Sequence, residues 1–504
     1  MKKVGLVHEE GFTLSQIPVH SRLHWVRLVP IYMSCMACVP LIMVGVMIAQ
    51  LFSFLQAIVI IGLTALIILV FDWMNAAVGA DLGLPASVIA RSSFGLTGSR
   101  FFISVLLILQ GLGWYGIHIA VASRALMELL EALAPTLTGN GLVLFFITAC
   151  IGFLFAFPNI VGRKFLTWTN YVSACALIIL CIWGCILVLF NPGGVMEIRQ
   201  VQAPKPDLAT GVLWLLGSCA SQFVLLSDYA RFCRRITPDS FLFPLISIVP
   251  IAIALPLFGA FLVASMGPDV GLIEGFLKIG FPAWGLILVI IAQWNPARVV
   301  NIYSVGLALA NLTGLTSIVA RRWFAIITVV SGTALATAGI LDHFGLFLEI
   351  QAFVYPAIGL LYVLDHFVFS KRLWQESSGV KWEGLISLGI GYSVGILVKH
   401  PYSFFLAAFV AGVCYSLIAY IEILLKKPRL ALKQSYPSTA TLTQRLRIQF
   451  CILTLTGMGV AGIGPLLAGS PLAEIMVSLG VVITGLSFWL FSRGIRVPIL
   501  PFKD

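Results

Sequence analysis

An all-α polytopic membrane protein is the fold class this sequence predicts, and three observations predict it. Of its 504 residues, 60% are hydrophobic and 10% charged, whereas soluble domains carry about 25% charged residues. Apolar runs of about 20 residues, the length that crosses a bilayer core as a helix, recur along the whole chain. Most of the 31 Lys and Arg residues fall in alternate connections between those runs, as they do when such connections stay in the cytoplasm.

Taken in order, the opening stretch holds Lys2, Lys3, Glu9, Glu10 and Arg22 without an apolar run. No cleavable signal peptide is therefore expected, and the amino terminus is expected in the cytoplasm. Apolar runs follow near 26–50, 54–78, 101–127, 140–158, 166–190, 209–229, 243–266, 284–311, 322–341, 345–369, 384–398, 404–424, 448–468 and 474–491. They predict about 14 transmembrane helices. Only Arg199, Lys205, Lys278 and Lys399 then fall in outer loops, with Arg124 and Arg298 inside helices. One missed or extra helix would invert every later loop, so the asymmetry supports this count and a cytoplasmic carboxyl terminus. The expected organisation is a cytoplasmic segment at 1–25, a core at 26–369, two further helices at 370–425, a basic cytoplasmic linker at 426–447 read as a solvated loop, and two added helices with a tail at 448–504.

The same composition removes several function classes. A net charge of +11 would suit nucleic acid, but the basic residues are distributed as loop charges, so the lipid bilayer and not nucleic acid is the expected partner. The ten Cys lie almost all in apolar segments, where a thiol behaves as a small hydrophobe, and no disulfide is expected. Cys35-x-x-Cys38 has redox spacing but lies in a membrane helix. Gly457-x-Gly459-x-x-Gly462 lacks the preceding strand of a dinucleotide site and is read as helix packing. A metal-dependent enzyme needs clustered His, Asp or Glu; Asp72, Asp365 and His366 are read as lying near helix ends, and no catalytic set, metal or cofactor is expected.

Two runs are interrupted. In Thr210–Arg235 a small polar island, Gly217, Ser218, Cys219, Ala220, Ser221 and Gln222, separates two apolar pieces, and Ser34–Pro40 near the start is similar. Backbone freed by unwinding at mid-depth must find a protein, water or ligand partner. Small residues also let helices pack closely, but a pair of interruptions in two halves points to a transporter's binding site.

Three blocks resemble the nucleobase-cation symporter-1 family, which includes purine-cytosine permeases and hydantoin and allantoin transporters. They are Gly79–Gly98 (GADLGLPASVIARSSFGLTG), Gly113-Trp114-Tyr115-Gly116, and Ser227-Asp228-Tyr229-Ala230-Arg231-Phe232. Asn301-Ile-Tyr303-Ser304-Val-Gly306, Leu364-Asp365-His366 and the Ile17-Pro18 to Arg22 entry add support, and the resemblance spans residues 15 to 425. It implies a LeuT-like fold in which spans one to five and six to ten are inverted repeats with broken helices 1 and 6. It also implies a secondary transporter for a small nitrogen heterocycle such as cytosine, another nucleobase, hydantoin or allantoin, working by alternating access in a bacterial inner membrane. A thiamine- or pyridoxine-type vitamin permease is the alternative within transport; a channel, receptor or membrane enzyme lies outside it.

Carried over residue by residue, the resemblance makes Trp114 the aromatic platform for a flat substrate. His118, four residues on, shares its face and stands where hydantoin-type members have Gln. Ser218 and Cys219 stand where the family supplies a second aromatic wall in some members. Gln222 is either a polar substrate contact or a helix–helix hydrogen bond. Asn301 in the eighth span, and Ser34, Cys35 and Cys38 at the first break, complete the candidates. Sodium-driven members carry hydroxyl residues in the eighth span at positions that align with Pro296, Ala297 and Arg298. Pro and Ala offer no side-chain oxygen, and Arg is a permanent cation without an acceptor, so of the two expected coupling ions, sodium and the proton, sodium is disfavoured.

Overall fold

The computed structural model describes residues 14–161, 163–190, 207–234, 236, 238–267, 271–370, 372–398, 400, 402–425, 432–437, 444–463 and 472–494. Eight helices in it are long and apolar enough to cross a bilayer, and the bent pair Trp25–Met36 and Val39–Leu51 makes up to 9. Five shorter apolar helices accompany them, Gly141–Phe157, Ala283–Pro296, Trp382–Val398, Gln449–Met458 and Ile475–Leu490.

The first span breaks where its sequence demands. Pro40 has no N–H to offer the carbonyl four residues back and its ring crowds that carbonyl, so the helix stops at Met36. Cys38 is extended (φ −141°, ψ 152°) and caps the restart at Val39; the two halves meet at 61°. The sixth span behaves differently and corrects the expectation of a second broken helix. Its helix Leu208–Ala220 is interrupted at Ser221 and again at Leu226, yet both residues keep right-handed helical angles (φ −60°, ψ −23°; φ −58°, ψ −29°). No proline stands there to remove a ladder donor, and the Ser218 hydroxyl folds back onto Leu215 O at 2.6 Å. Gly217 serves close packing instead: a Cβ on it would lie 2.0 Å from Leu348 O of the tenth span.

The packing is reciprocal between the two halves. Val39–Leu51 of the first span lies on Val249–Met266 of the seventh, as Leu208–Ala220 of the sixth lies on Phe54–Leu82 of the second. Trp25–Met36 touches Arg163–Phe190 of the fifth, as Leu208–Ala220 touches Phe344–Leu364 of the tenth. Exchanging one with six, two with seven and five with ten maps each contact onto its counterpart, the relation inverted repeats produce. Glycines set the distance at the first crossing: Cβ atoms on Gly45 and Gly259 would fall 1.9 Å from Pro256 O and 2.1 Å from Ile42 O. Since the obstacles are backbone, Gly45→Ala is expected to destabilise by about 1–3 kcal/mol. Gly62→Ala, in open space, is expected to be neutral or mildly stabilising. Melting temperatures in detergent check the pair; equal behaviour would contradict the crossing.

Two features correct or fill in the carboxyl-terminal part. Residues 432–437 of the basic linker form a strand, Leu432–Pro437, antiparallel to Leu373–Ser377, so that stretch is paired and not a free loop. The added helices Gln444–Ile463 and Leu472–Gly494 pack closely together, as the glycine spacing suggests: a Cβ on Gly457 would meet Thr484 Oγ1 at 2.3 Å. The last helix also lies on the second span, with Phe488 edge-on to Trp73 at 4.8 Å.

Candidate functional site

The third span, Ser104–Leu133, carries Gln110, Trp114 and His118 at intervals of four and so on one face. Each reaches a different helix. Trp114 Nε1 donates to Gln351 Oε1 at 3.2 Å, His118 Nδ1 lies 3.0 Å from Gln293 Oε1, and Gln110 Nε2 donates to Ser221 Oγ at 3.1 Å. The third span thereby meets the tenth, eighth and sixth. An indole N–H only donates, so it fixes Gln351 with its oxygen toward the ring and its nitrogen turned away. That Gln351 Nε2, with Gln293 Nε2 and Gln110 Oε1, is buried without a partner among the described residues. Two donors and one acceptor are thus left open around one indole.

The rings around Trp114 leave its stacking unused. Phe344 and Phe347 meet it edge-on, at 6.1 Å and 81° and at 5.5 Å and 76°. His118 is tilted at 33° with its centroid 6.0 Å away. Among the described residues no ring stacks parallel on the indole.

The first span is joined to the same region by side chains the sequence did not single out. Tyr32 OH donates to Gln222 Oε1, which gives Gln222 the helix–helix role. Asn295 Nδ2 donates to Ser34 O at 2.9 Å and Ser34 Oγ at 3.3 Å, tying the eighth span to the turn before the break. Ser218, Cys35 and Asn301 bond within their own spans, to Leu215 O, to Ile31 O at 2.9 Å and to Pro296 O at 3.3 Å. Cys38, at the break, is within electrostatic reach of Cys219. Pro296 and Ala297 are buried where the eighth span widens into a π-helical turn, Ala297–Ile302, a feature frequent at functional sites. The Arg298 side chain lies outside the described residues. The glutamines at 110, 293 and 351 and the Tyr32 phenol were the residues missed; an uncharged amide inside an apolar span was the available signal.

A second polar layer closes the end of the bundle where the basic residues gather, and the most recognisable sequence blocks build it. Asp81 takes Arg372 Nε and Nη2 at 2.8 and 2.5 Å and His366 Nε2 at 2.8 Å. Asp228 accepts from Ala86 N at 2.7 Å, and Arg231 Nη2 donates to Tyr303 OH at 2.8 Å. Arg91 holds Asn311 Oδ1 and Glu376 Oε2, each at 2.9 Å. Asp365 gathers Ser92 and, at 2.7 Å, Tyr415 OH. Arg22, outside the spans, reaches Ala80 O and Ile17 O; burial pulls its guanidinium below its ordinary pKa and the charge of Asp81 opposes that. At Gly95 (φ 74°) the chain turns left-handed where a Cβ would strike Gly379 O at 2.4 Å, and Thr97 N bonds that carbonyl at 2.9 Å.

Comparison with known proteins places this arrangement. Cytosine permease of Escherichia coli K12 is 24% identical over 330 residues, 63% of this chain and 73% of the relative. Mhp1, a nucleobase-cation-symport-1 family transporter, in its closed conformation with bromovinylhydantoin bound, superposes with a TM-score of 0.68 at 19% identity, covering 83% of this chain and 96% of that one. Its inward-facing conformation gives 0.66 at 19% identity, covering 81% and 94%. The fold is therefore LeuT-like, as the reciprocal packing indicates. The family model for permeases of cytosine/purines, uracil, thiamine and allantoin matches residues 16–372, and this chain belongs to that permease family, a transporter and not an enzyme.

Proposed function

We propose that the protein carries a small, flat nitrogen heterocycle of the nucleobase or hydantoin type by alternating access, with the ring stacked on Trp114 and its edge read by Gln110, His118, Gln293 and Gln351. One observation carries the reading: around an unstacked, buried indole, two amide donors and one amide acceptor lack partners among the described residues. Each buried unpaired polar group costs about 1–3 kcal/mol, and a heterocycle bearing both C=O and N–H groups removes that cost. A flat apolar ring without such groups would not. Thermal shift of the purified protein across cytosine, uracil, hydantoin, allantoin and thiamine tests this, since a ligand of the folded state alone raises the melting temperature. A shift with sugar phosphates or dicarboxylates and none with these rings would refute it. The five shorter apolar helices are read as crossing the bilayer with the longer ones, which gives about 14 crossings and places both termini on the basic, cytoplasmic side of a bacterial inner membrane.

Transport is proposed to be independent of sodium. At the positions of the eighth span that align with the hydroxyl residues, Pro296 and Ala297 have no side-chain oxygen, and the Pro296 carbonyl accepts from Asn301. A hard cation takes about six oxygen ligands, and this run of sequence supplies a permanent cation, Arg298, instead. Initial uptake of cytosine is expected to be the same in sodium and choline buffers at fixed pH and membrane potential; a steep, saturable sodium dependence would overturn this.

A further inference from the structure

A carboxyl group outside the site described above is placed as no structural carboxylate should be. Asp72, read from sequence as lying near a helix end, sits inside Phe54–Leu82, about 15 Å from the helix end at 1.5 Å per residue. It is completely buried, and neither Oδ1 nor Oδ2 has a hydrogen-bond partner among the described residues. Three other buried aspartates are paired: Asp81 with Arg372, Asp228 with a backbone N–H, Asp365 with hydroxyls. A buried charge without a partner gives up its charge instead, so Asp72 is neutral in this state.

Its surroundings explain how that would change. Asp72 is within electrostatic reach of the Tyr32 hydroxyl of the first span and the Cys219 thiol of the sixth. Of the other elements packed on the second span, 39–51, 222–225 and 249–266 carry no titratable residue. Asp228 and Glu349 are directed at Ala86 N and Trp214 Nε1, Tyr229 lies against Tyr32 and Tyr303 with ring centroids 4.6 and 5.7 Å away, and Asp239 acts on Cys233. On the tenth span Tyr355 OH donates to Leu106 O at 2.9 Å, and Tyr362 is within electrostatic reach of Asp228. The last helix has Glu474 and Arg493 near its ends, with side chains outside the described residues. The hydroxyl in reach, that of Tyr32, is occupied by Gln222 Oε1, on the span whose Ser221 holds Gln110 of the proposed site.

We propose that Asp72 is a proton-binding site of the transport cycle, protonated while Tyr32 is bonded to Gln222 and ionised when movement of the first span against the sixth turns the Tyr32 hydroxyl to the carboxylate. The proton passes to or from water on the side then open, and no other bond is made or broken. The inference rests on the transport reading, and two measurements separate their fates. Infrared spectra of the full chain in lipid vesicles, without ligand, are expected to show the carbonyl band of a buried, protonated carboxyl that is absent from Asp72→Asn. In proteoliposomes with an imposed pH gradient, the wild type is expected to accumulate cytosine or hydantoin. D72N, locked in the neutral form, is expected to fall to equilibration while retaining counterflow exchange. A band unchanged in D72N, or gradient-driven accumulation unchanged in D72N, overturns the inference. Should D72N not fold, Asp72→Cys replaces it, and a wild-type spectrum with no protonated carboxyl band overturns the inference by itself. A wild type that transports neither ring counts against the proposed substrate class and leaves the infrared result to decide the role of Asp72.

Discussion

Replacing Trp114 by alanine is expected to weaken heterocycle binding about 100-fold with normal expression. Covering an aromatic face is worth about 1.5–3 kcal/mol in apolar burial, and offset stacking adds about 0.5–1.5 kcal/mol. A total near 3 kcal/mol corresponds to about two decades in affinity. Trp114→Phe keeps a ring for the substrate but removes the indole N–H that orients Gln351. Gln351 is then free to rotate, and its amide no longer presents a fixed donor, so an intermediate loss of about tenfold is expected, of order 1.4 kcal/mol. In a Trp114→Phe background, Gln351→Leu should therefore cost less than in the wild type, because the two residues act as one unit. Equilibrium binding of the ring found by thermal shift provides all four values. Equal, large losses in the alanine and phenylalanine variants would show that the ring is not a stacking platform.

The part of this site that was legible from sequence is the part that local rules control. Helical spacing put Trp114 and His118 on one face, and a proline two residues after Cys38 stopped the first span where a break was expected. The partners Gln293 and Gln351 lie more than one hundred residues away in sequence, on helices whose rotation no single-span periodicity determines. Hydropathy treats them as small blemishes in apolar runs. The sixth span misled because glycine and serine suit both unwinding and close packing, and only the approach of Leu348 O to Gly217 chooses between them. Charge counting misled in another way. Arg22, Arg91, Arg231 and Arg372 count by position as loop charges that set orientation, yet Arg231 and Arg372 are fully buried and each of the four is bonded into the layer that closes the basic end. Two of the three blocks that make the family recognisable, Gly79–Gly98 and Ser227–Phe232, mark that closure, and the third, Gly113–Gly116, supplies Trp114 to the site.

That closure is where the largest energetic effect is expected. Asp81 and Arg372 are both fully buried side chains joined by two hydrogen bonds, with His366 on the same carboxylate. Removing one partner of such a pair leaves a buried, uncompensated charge, at a cost of about 3–5 kcal/mol, whereas replacing both by apolar groups is often nearly neutral. The Arg372 backbone adds to the tension: its φ is 61°, a left-handed conformation that costs a non-glycine residue about 1–3 kcal/mol and persists only where surroundings enforce it. Asp81→Ala removes the enforcement and strands the charge together. The pair joins the end of the second span to the segment after the tenth, and a transporter that opens at this end must part those elements. The lost energy should therefore appear as a shift toward the state open at the basic end, and a change of about 5.5 kcal/mol would carry a two-state equilibrium from 1:99 to 99:1. Ser87 is a suitable reporter, since it is buried in the helix Ala86–Gly98 and its hydroxyl has no partner among the described residues. In a background without reactive native thiols, Ser87→Cys is expected to be labelled slowly by a membrane-impermeant thiol reagent from the basic side, much faster with Asp81→Ala added, and slowly again when Arg372→Leu is also present. Labelling that stays slow in Asp81→Ala while its melting temperature falls would mean that the pair supports the fold in every state and is not part of the gate.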